Sequence, residues 1–270
     1  MCIVCKWNSG EEELDLSIEK LDCSYCRNIT SIPYLPELVY LDCSNCTALT
    51  SIPVLPKLQE LHCIDCVSFT DIPLLPELKN LNCYRCTALI SISQMLELES
   101  LHCTGCKALV NIPILPKLKG LFCAGCTAVT ELPQLPKLKK LSCSHCKRLA
   151  YIPPMAELKL LNCYNCKSLT AIPVLPELVE LNCPQCTALT SIPDFPKLNV
   201  LYYSYCRSLT SIPNMDQLRE LHCVDCKWIS GNRDFESNIK ALRTCQAIFK
   251  RKLTARKLEK LLPVITEIYY

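Results

Sequence analysis

Leu38-Val39-Tyr40-Leu41-Asp42-Cys43-Ser44-Asn45-Cys46-Thr47-Ala48-Leu49-Thr50-Ser51-Ile52-Pro53-Val54-Leu55-Pro56-Lys57 is one copy of a unit that recurs every 20 residues. Its signature, Leu-x-Cys-x-x-Cys, runs in register from Leu21-Asp22-Cys23-Ser24-Tyr25-Cys26 to Leu221-His222-Cys223-Val224-Asp225-Cys226. So short and constant a period means one small unit stacked on itself, a solenoid whose surfaces are columns of equivalent residues. Leu41 and Cys43 have the period of two that a strand requires, which predicts a short parallel strand in every repeat. Cys46, Leu49, Ile52 and Leu55 then return inward, while Pro53 and Pro56 remove the backbone donors a helix would need. The return leg is therefore expected to be extended or polyproline-like.

These residues resemble the leucine-rich repeat over about residues 18 to 230: Leu-x-x-Leu-x-Cys-x-x-Cys-x-x-Leu, with cysteines at the third leucine and at the usual asparagine or cysteine position. The Ile-Pro-x-Leu-Pro segment is similar to the 20-residue class of bacterial effector proteins. The cysteine density, with a basic tail ending Ile268-Tyr269-Tyr270, resembles repeat proteins of the large DNA viruses of amoebae. The resemblance implies a leucine-rich repeat solenoid with a parallel β-sheet on its concave face. Three segments are expected: a degenerate capping repeat over 1–20, the solenoid over 21–230, and a basic, helical C-terminal cap over 231–270. In the last, Ile239, Leu242, Cys245, Phe249 and Leu253 take helical spacing. Cys2 and Cys5 echo the repeat's cysteine pair. The departures are local: Tyr203 stands in a cysteine position, and Ser93 and Leu96 replace both prolines of one return leg.

Half of the residues are hydrophobic, and 29 basic against 26 acidic side chains give a formal charge of only +3, so any charged partner must be met locally. No signal peptide, membrane-spanning run or lipidation signal is expected, which points to an intracellular, cytoplasmic protein (host cytoplasm or virion on the viral resemblance). The 24 cysteines are expected to be reduced. Cys43 lies on the strand and Cys46 in its exit turn, while equivalent cysteines of neighbouring repeats point in parallel, a poor disulfide geometry. A zinc pair wraps one tight turn around its ion. Here two separate ladders of small buried thiols are expected instead, addressing nearby carbonyls, with no metal or cofactor.

Removing core positions leaves residues 39, 40, 42, 44 and 45 of each repeat as the predicted concave face. All four histidines fall there, His62, His102, His145 and His222, with Tyr40, Tyr84, Phe122, Tyr164, Tyr202 and Tyr205. Rings with a polar handle are what protein-binding surfaces use, so these ten are the candidate partner-binding residues, without a catalytic role. Gly120, Phe122, Ala124 and Gly125, flanked by Lys119, Lys139, Lys140 and Lys159, make the preferred docking centre. His62 and His102 lie two repeats apart, about 10 Å, too far to share one ion. No fixed acid–base pair or phosphate loop is visible, so no enzyme is expected. The function expected is binding of a polypeptide partner. The alternatives are a structural component of an assembly such as a virus particle, or a substrate-recognition adaptor of a ubiquitin ligase. Nucleic acid is expected only through the basic C-terminal segment.

Overall fold

The computed structural model describes residues 3–225 except 9, 11, 12, 14, 211, 214 and 216. The readings of Cys2 and of the segment 231–270 as a helical cap lie outside the described residues.

Eleven strands of three residues, from Lys20–Asp22 through Tyr40–Asp42 to Glu220–His222, form one parallel sheet in sequence order. Each lies opposite its equivalent 20 residues on, Leu41 beside Leu21 and Leu61, with no register slip. We number the coils 1 to 11 by these strands. The central leucine of each strand is buried, whereas its neighbours are exposed or half-buried apart from the buried Gly120, the alternation that a one-sided sheet imposes. The chain is thus a parallel β-solenoid with one strand of this sheet to each coil.

Three i→i+3 turns close coils 1 to 8 and coil 10. In coil 2 the N–H groups of Cys46, Leu49 and Leu58 donate to the carbonyls of Cys43, Cys46 and Leu55. The ends of these turns are core residues, so the corners of the coil bury Leu, Cys and Ile side chains in one spine running from Leu21 to Cys223. Cys43, Cys46, Leu49, Leu55 and Leu58 are fully buried.

The return legs carry almost no regular pairing, as their prolines dictate. Among the described residues they pair at an isolated bridge between Ala171 and Ser191 and, more extensively, where Asp71–Ile72 and Ser91–Ile92 form a second small sheet. Ser93, standing where other copies have proline, supplies an N–H to the carbonyl of Ile72 at 3.1 Å. Loss of one proline restores one ladder bond.

Two local features differ from a plain copy of the repeat. Ile3–Asn8 form a short α-helix, not a coil, and its Val4 is buried in the common core. The Tyr203 ring is lodged wholly inside the spine. Its N–H bond to the carbonyl of His222 lengthens to 3.0 Å, against 2.8 Å for Cys183 to Tyr202. The larger side chain is accommodated with little spreading of the stack.

Candidate concave binding face

The cysteine columns set the spacing on which the face is built. The Cys46 thiol donates to the carbonyl of Cys23 at 3.1 Å, Cys66 to Cys43 at 3.1 Å and Cys106 to Cys83 at 3.0 Å. The pattern continues to Cys206 and Cys183 at 3.1 Å. The carbonyls of Cys23, Cys43 and Cys83 also accept the N–H that closes their own turns, from Cys26, Cys46 and Cys86, so both lone pairs are engaged. The neighbouring thiol and then burial hold the first-column thiols Cys43, Cys63, Cys83 and Cys103 well above the usual thiol range, hence protonated. Among the described residues no group of three or more His, Cys, Asp or Glu is placed to hold a metal ion.

The strand is shorter than the predicted face. Only positions 40 to 42 are strand, and positions 44 and 45 form the turn after it. Tyr84, Tyr164, His145 and Tyr205 therefore project from turns at the rim of the sheet. The residue before every second cysteine has positive φ, from Tyr25 (60°) and Asn45 (62°) through Gly105 (81°) and Gly125 (72°) to Tyr205 (62°) and Asp225 (52°). This is the third residue of a turn between Cys43 and Cys46, the position where a type II turn demands positive φ. Its N–H still extends the ladder: Asn45 donates to Ile64 at 2.7 Å and His145 to Tyr164 at 2.7 Å.

Each histidine meets an aromatic ring of an adjacent coil. Tyr40 and His62 are tilted with centroids 5.6 Å apart; His102 stacks on Phe122 at 4.2 Å; His145 meets Tyr164 edge-on at 4.9 Å; Tyr202 stacks on His222 at 4.4 Å. Tyr84 and Tyr205 stand outside these pairs, each 41% exposed. Second contacts fix two imidazoles, His62 Nε2 to Glu60 Oε1 at 2.8 Å and His145 Nδ1 to Asn165 Nδ2 at 2.9 Å. Burial, then the His62 charge, lowers the pKa of His102, which favours a neutral ring on Phe122.

A shallow depression of about 430 Å³ lies where His102, Phe122, Gly120, Lys119, Lys139 and Lys140 converge. Gly120 makes room for it: a Cβ there would come within 3.2 Å of Phe122 Cε2.

In four other coils position 42 serves the backbone. Oδ1 of Asp22, Asp42, Asn82 and Asn162 accepts the N–H two residues on, at 2.9, 2.9, 3.3 and 3.2 Å, the Asx turn that short polar side chains favour. Sequence reasoning missed this division. It also missed a row of apolar side chains on the return legs, Tyr34, Val54, Leu74, Ile114 and Val174, each at least 51% exposed. Their signal was present in the sequence as the residue between proline and the next core leucine.

No protein-family model matches the chain, and no curated protein does. Among solved structures it is similar to a leucine-rich repeat protein from Bacteroides ovatus ATCC 8483, at 17% sequence identity, covering 77% of this chain and 75% of that one, with a TM-score of 0.31. The fold assignment therefore rests on the coil geometry itself. No helix among the described residues is long and apolar enough to cross a membrane.

Proposed function

We propose that the chain is a protein-interaction module that binds a polypeptide on its concave face. One observation carries this reading: every histidine of the sequence lies on that face or its rim, paired with an aromatic ring of an adjacent coil. Half-exposed rings offer apolar area with a polar edge, and their pairing reduces the rotamer freedom lost on contact. The backbone beneath is hydrogen-bonded coil to coil, so the rings sit on a rigid scaffold, as recognition surfaces do. No array of acid, base and nucleophile is needed for such a role. The candidate contacts are Tyr40, His62, Tyr84, His102, Phe122, His145, Tyr164, Tyr202, Tyr205 and His222.

The test is affinity capture from host extract with mass spectrometry. Alanine replaces Phe122, Tyr84 and Tyr164 in turn, and Leu74→Ala on the return leg is the control. Hot-spot behaviour predicts that at least one concave variant loses a captured polypeptide by tenfold or more, about 1.4 kcal/mol, while the control retains it. Unchanged recovery with all three concave variants rejects the reading.

A further inference from the structure

The formal charge of the chain is small, but the concave face divides it sharply. At positions 39, 40, 42, 44 and 45, coils 1 to 3 carry Glu19, Asp22, Asp42, Glu60 and Asp65 against Lys20 alone. The field of these carboxylates is felt at Tyr40, whose hydroxyl pKa is raised by burial and then by Asp42, Glu60 and Asp22. At the same positions coils 6 to 8 carry Lys119, Lys139, Lys140 and Lys159 and no carboxylate. Lys119 is tied to Glu99 of coil 5 at 2.8 Å, whereas Lys139, Lys140 and Lys159 are exposed and form no ion pair among the described residues. Two of these three lysines line the depression beside Phe122 and His102.

We infer that the concave face takes a polypeptide of split charge, an acidic stretch over coils 6 to 8 and a basic stretch over coils 1 to 3, and so binds it in one direction. The inference rests on the concave reading and adds the chemistry of the partner. Coils 2 and 7 are five strand spacings apart, about 24 Å, which seven or eight extended residues span. A nucleic acid fits less well. Its uniform phosphate charge would be attracted by three coils and repelled by the carboxylates of the first three. A polypeptide can change sign along its length, and like-charge juxtaposition in the reversed orientation would exclude that register.

The probe is a 16-residue peptide with four lysines at one end, four glutamates at the other and a Gly/Ser spacer, carrying a photo-cross-linker at either end. At about 20 mM salt, where screening is weak, the glutamate end is expected to cross-link to coils 6 to 8 and the lysine end to coils 1 to 3. The double variant Lys139→Glu/Lys140→Glu should weaken binding about tenfold, and circular dichroism should show it still folded. Cross-links spread evenly, no measurable binding, or an affinity within twofold of the parent in the double variant would overturn the inference. So would a single-stranded DNA 12-mer bound more tightly than the peptide and released by the same variant, which would assign the lysines to phosphate. Loss of the captured polypeptide on Phe122→Ala but not on Lys139→Glu/Lys140→Glu would reject split charge and keep the concave reading. Loss on neither, with Tyr84→Ala and Tyr164→Ala also unchanged, would reject both.

Discussion

Replacing Cys106 separates two roles that its thiol could play, as a hydrogen-bond donor and as a piece of apolar packing. Its sulfur is fully buried and lies 3.0 Å from the carbonyl of Cys83. That carbonyl keeps a second donor, the Cys86 N–H at 3.2 Å, so Cys106→Ala leaves no orphaned acceptor. The cost is then the transfer of one sulfur plus the small void it leaves, about 1–2 kcal/mol, with well under 1 kcal/mol from the weak thiol bond. Cys106→Ser keeps the shape and a donor but should do no better than alanine. A hydroxyl sits on a shorter bond yet needs an acceptor at about 2.7–2.8 Å, so it would be buried with a stretched hydrogen bond at a cost of about 1–3 kcal/mol. The measurement is urea unfolding under reductant with linear extrapolation. An internal coil touches only its neighbours, so the loss should register across the whole transition. A serine variant as stable as the parent, or clearly more stable than the alanine variant, would show that hydrogen bonding governs the column, and the packing argument would fail.

Nineteen of the 21 cysteines among the described residues are buried, so of these 21 a thiol reagent should reach only Cys5 and Cys26 in the native protein; rapid reaction of the buried set before unfolding would contradict the spine. Gln185 has φ 58°, which costs a non-glycine residue about 1–2 kcal/mol against the 0.5–1 kcal/mol entropy penalty of glycine, so Gln185→Gly should raise stability by about 0.5–1 kcal/mol, read from the urea midpoint. The folded-state pKa of His102 is lowered from 6.5; its contribution is therefore present above pH 6.5 and lost as pH falls through the folded value, so stability rises with pH in that window. His102→Gln should flatten the slope, and equal slopes would exclude a part for His102. Ile64 donates its N–H to Ser44 Oγ at 3.3 Å because His62 is not the Asp or Asn that accepts this bond in coils 1, 2, 4 and 8. Ser44→Ala should cost about 1 kcal/mol in the parent and much less in a His62→Asn background, and equal costs in both would refute the substitution of one acceptor for the other.

The solenoid was legible because its cause is periodic. Leu41 with Cys43 specifies a strand, and Pro53 with Pro56 excludes a helix, in copy after copy. The turn at position 45 was legible too, but as a column: Gly105, Gly125, Asn45, Asn165, Asp65 and Asp225 are the residue types that tolerate positive φ. Read within one repeat, Asn45 looks like another strand residue. The helix Ile3–Asn8 is too short to show a period. At the candidate site the ring-bearing positions could be read directly, since they are what remains when core positions are removed. The pairing of the rings could not. His102 meets Phe122 within one column, whereas His62 meets Tyr40 and His145 meets Tyr164 across a diagonal, a choice set by side-chain direction rather than by spacing.

That position 42 alternates between backbone and surface duty bears on how such a face can change its partner. An Asp or Asn there secures the N–H two residues on and presents little surface, while a ring presents surface but leaves that N–H to be satisfied elsewhere. Coils 3 and 11 meet the need in the same way: His62 and His222 each follow a coil with serine at position 44, and Ser44 and Ser204 accept from Ile64 and Val224 at 3.3 and 3.0 Å. Coil 9 keeps Asn182 at this position, but Pro184 has no N–H for it to secure. In coils 3 and 11 a ring enters the face while a serine of the preceding coil takes over the hydrogen bond, whereas His102, Phe122 and Tyr202 stand in coils where no side chain among the described residues accepts the corresponding N–H of Thr104, Ala124 or Ser204. The buried columns of leucine and cysteine hold the coils in register throughout, so an exchange on the face has a local hydrogen-bond consequence rather than a global packing one.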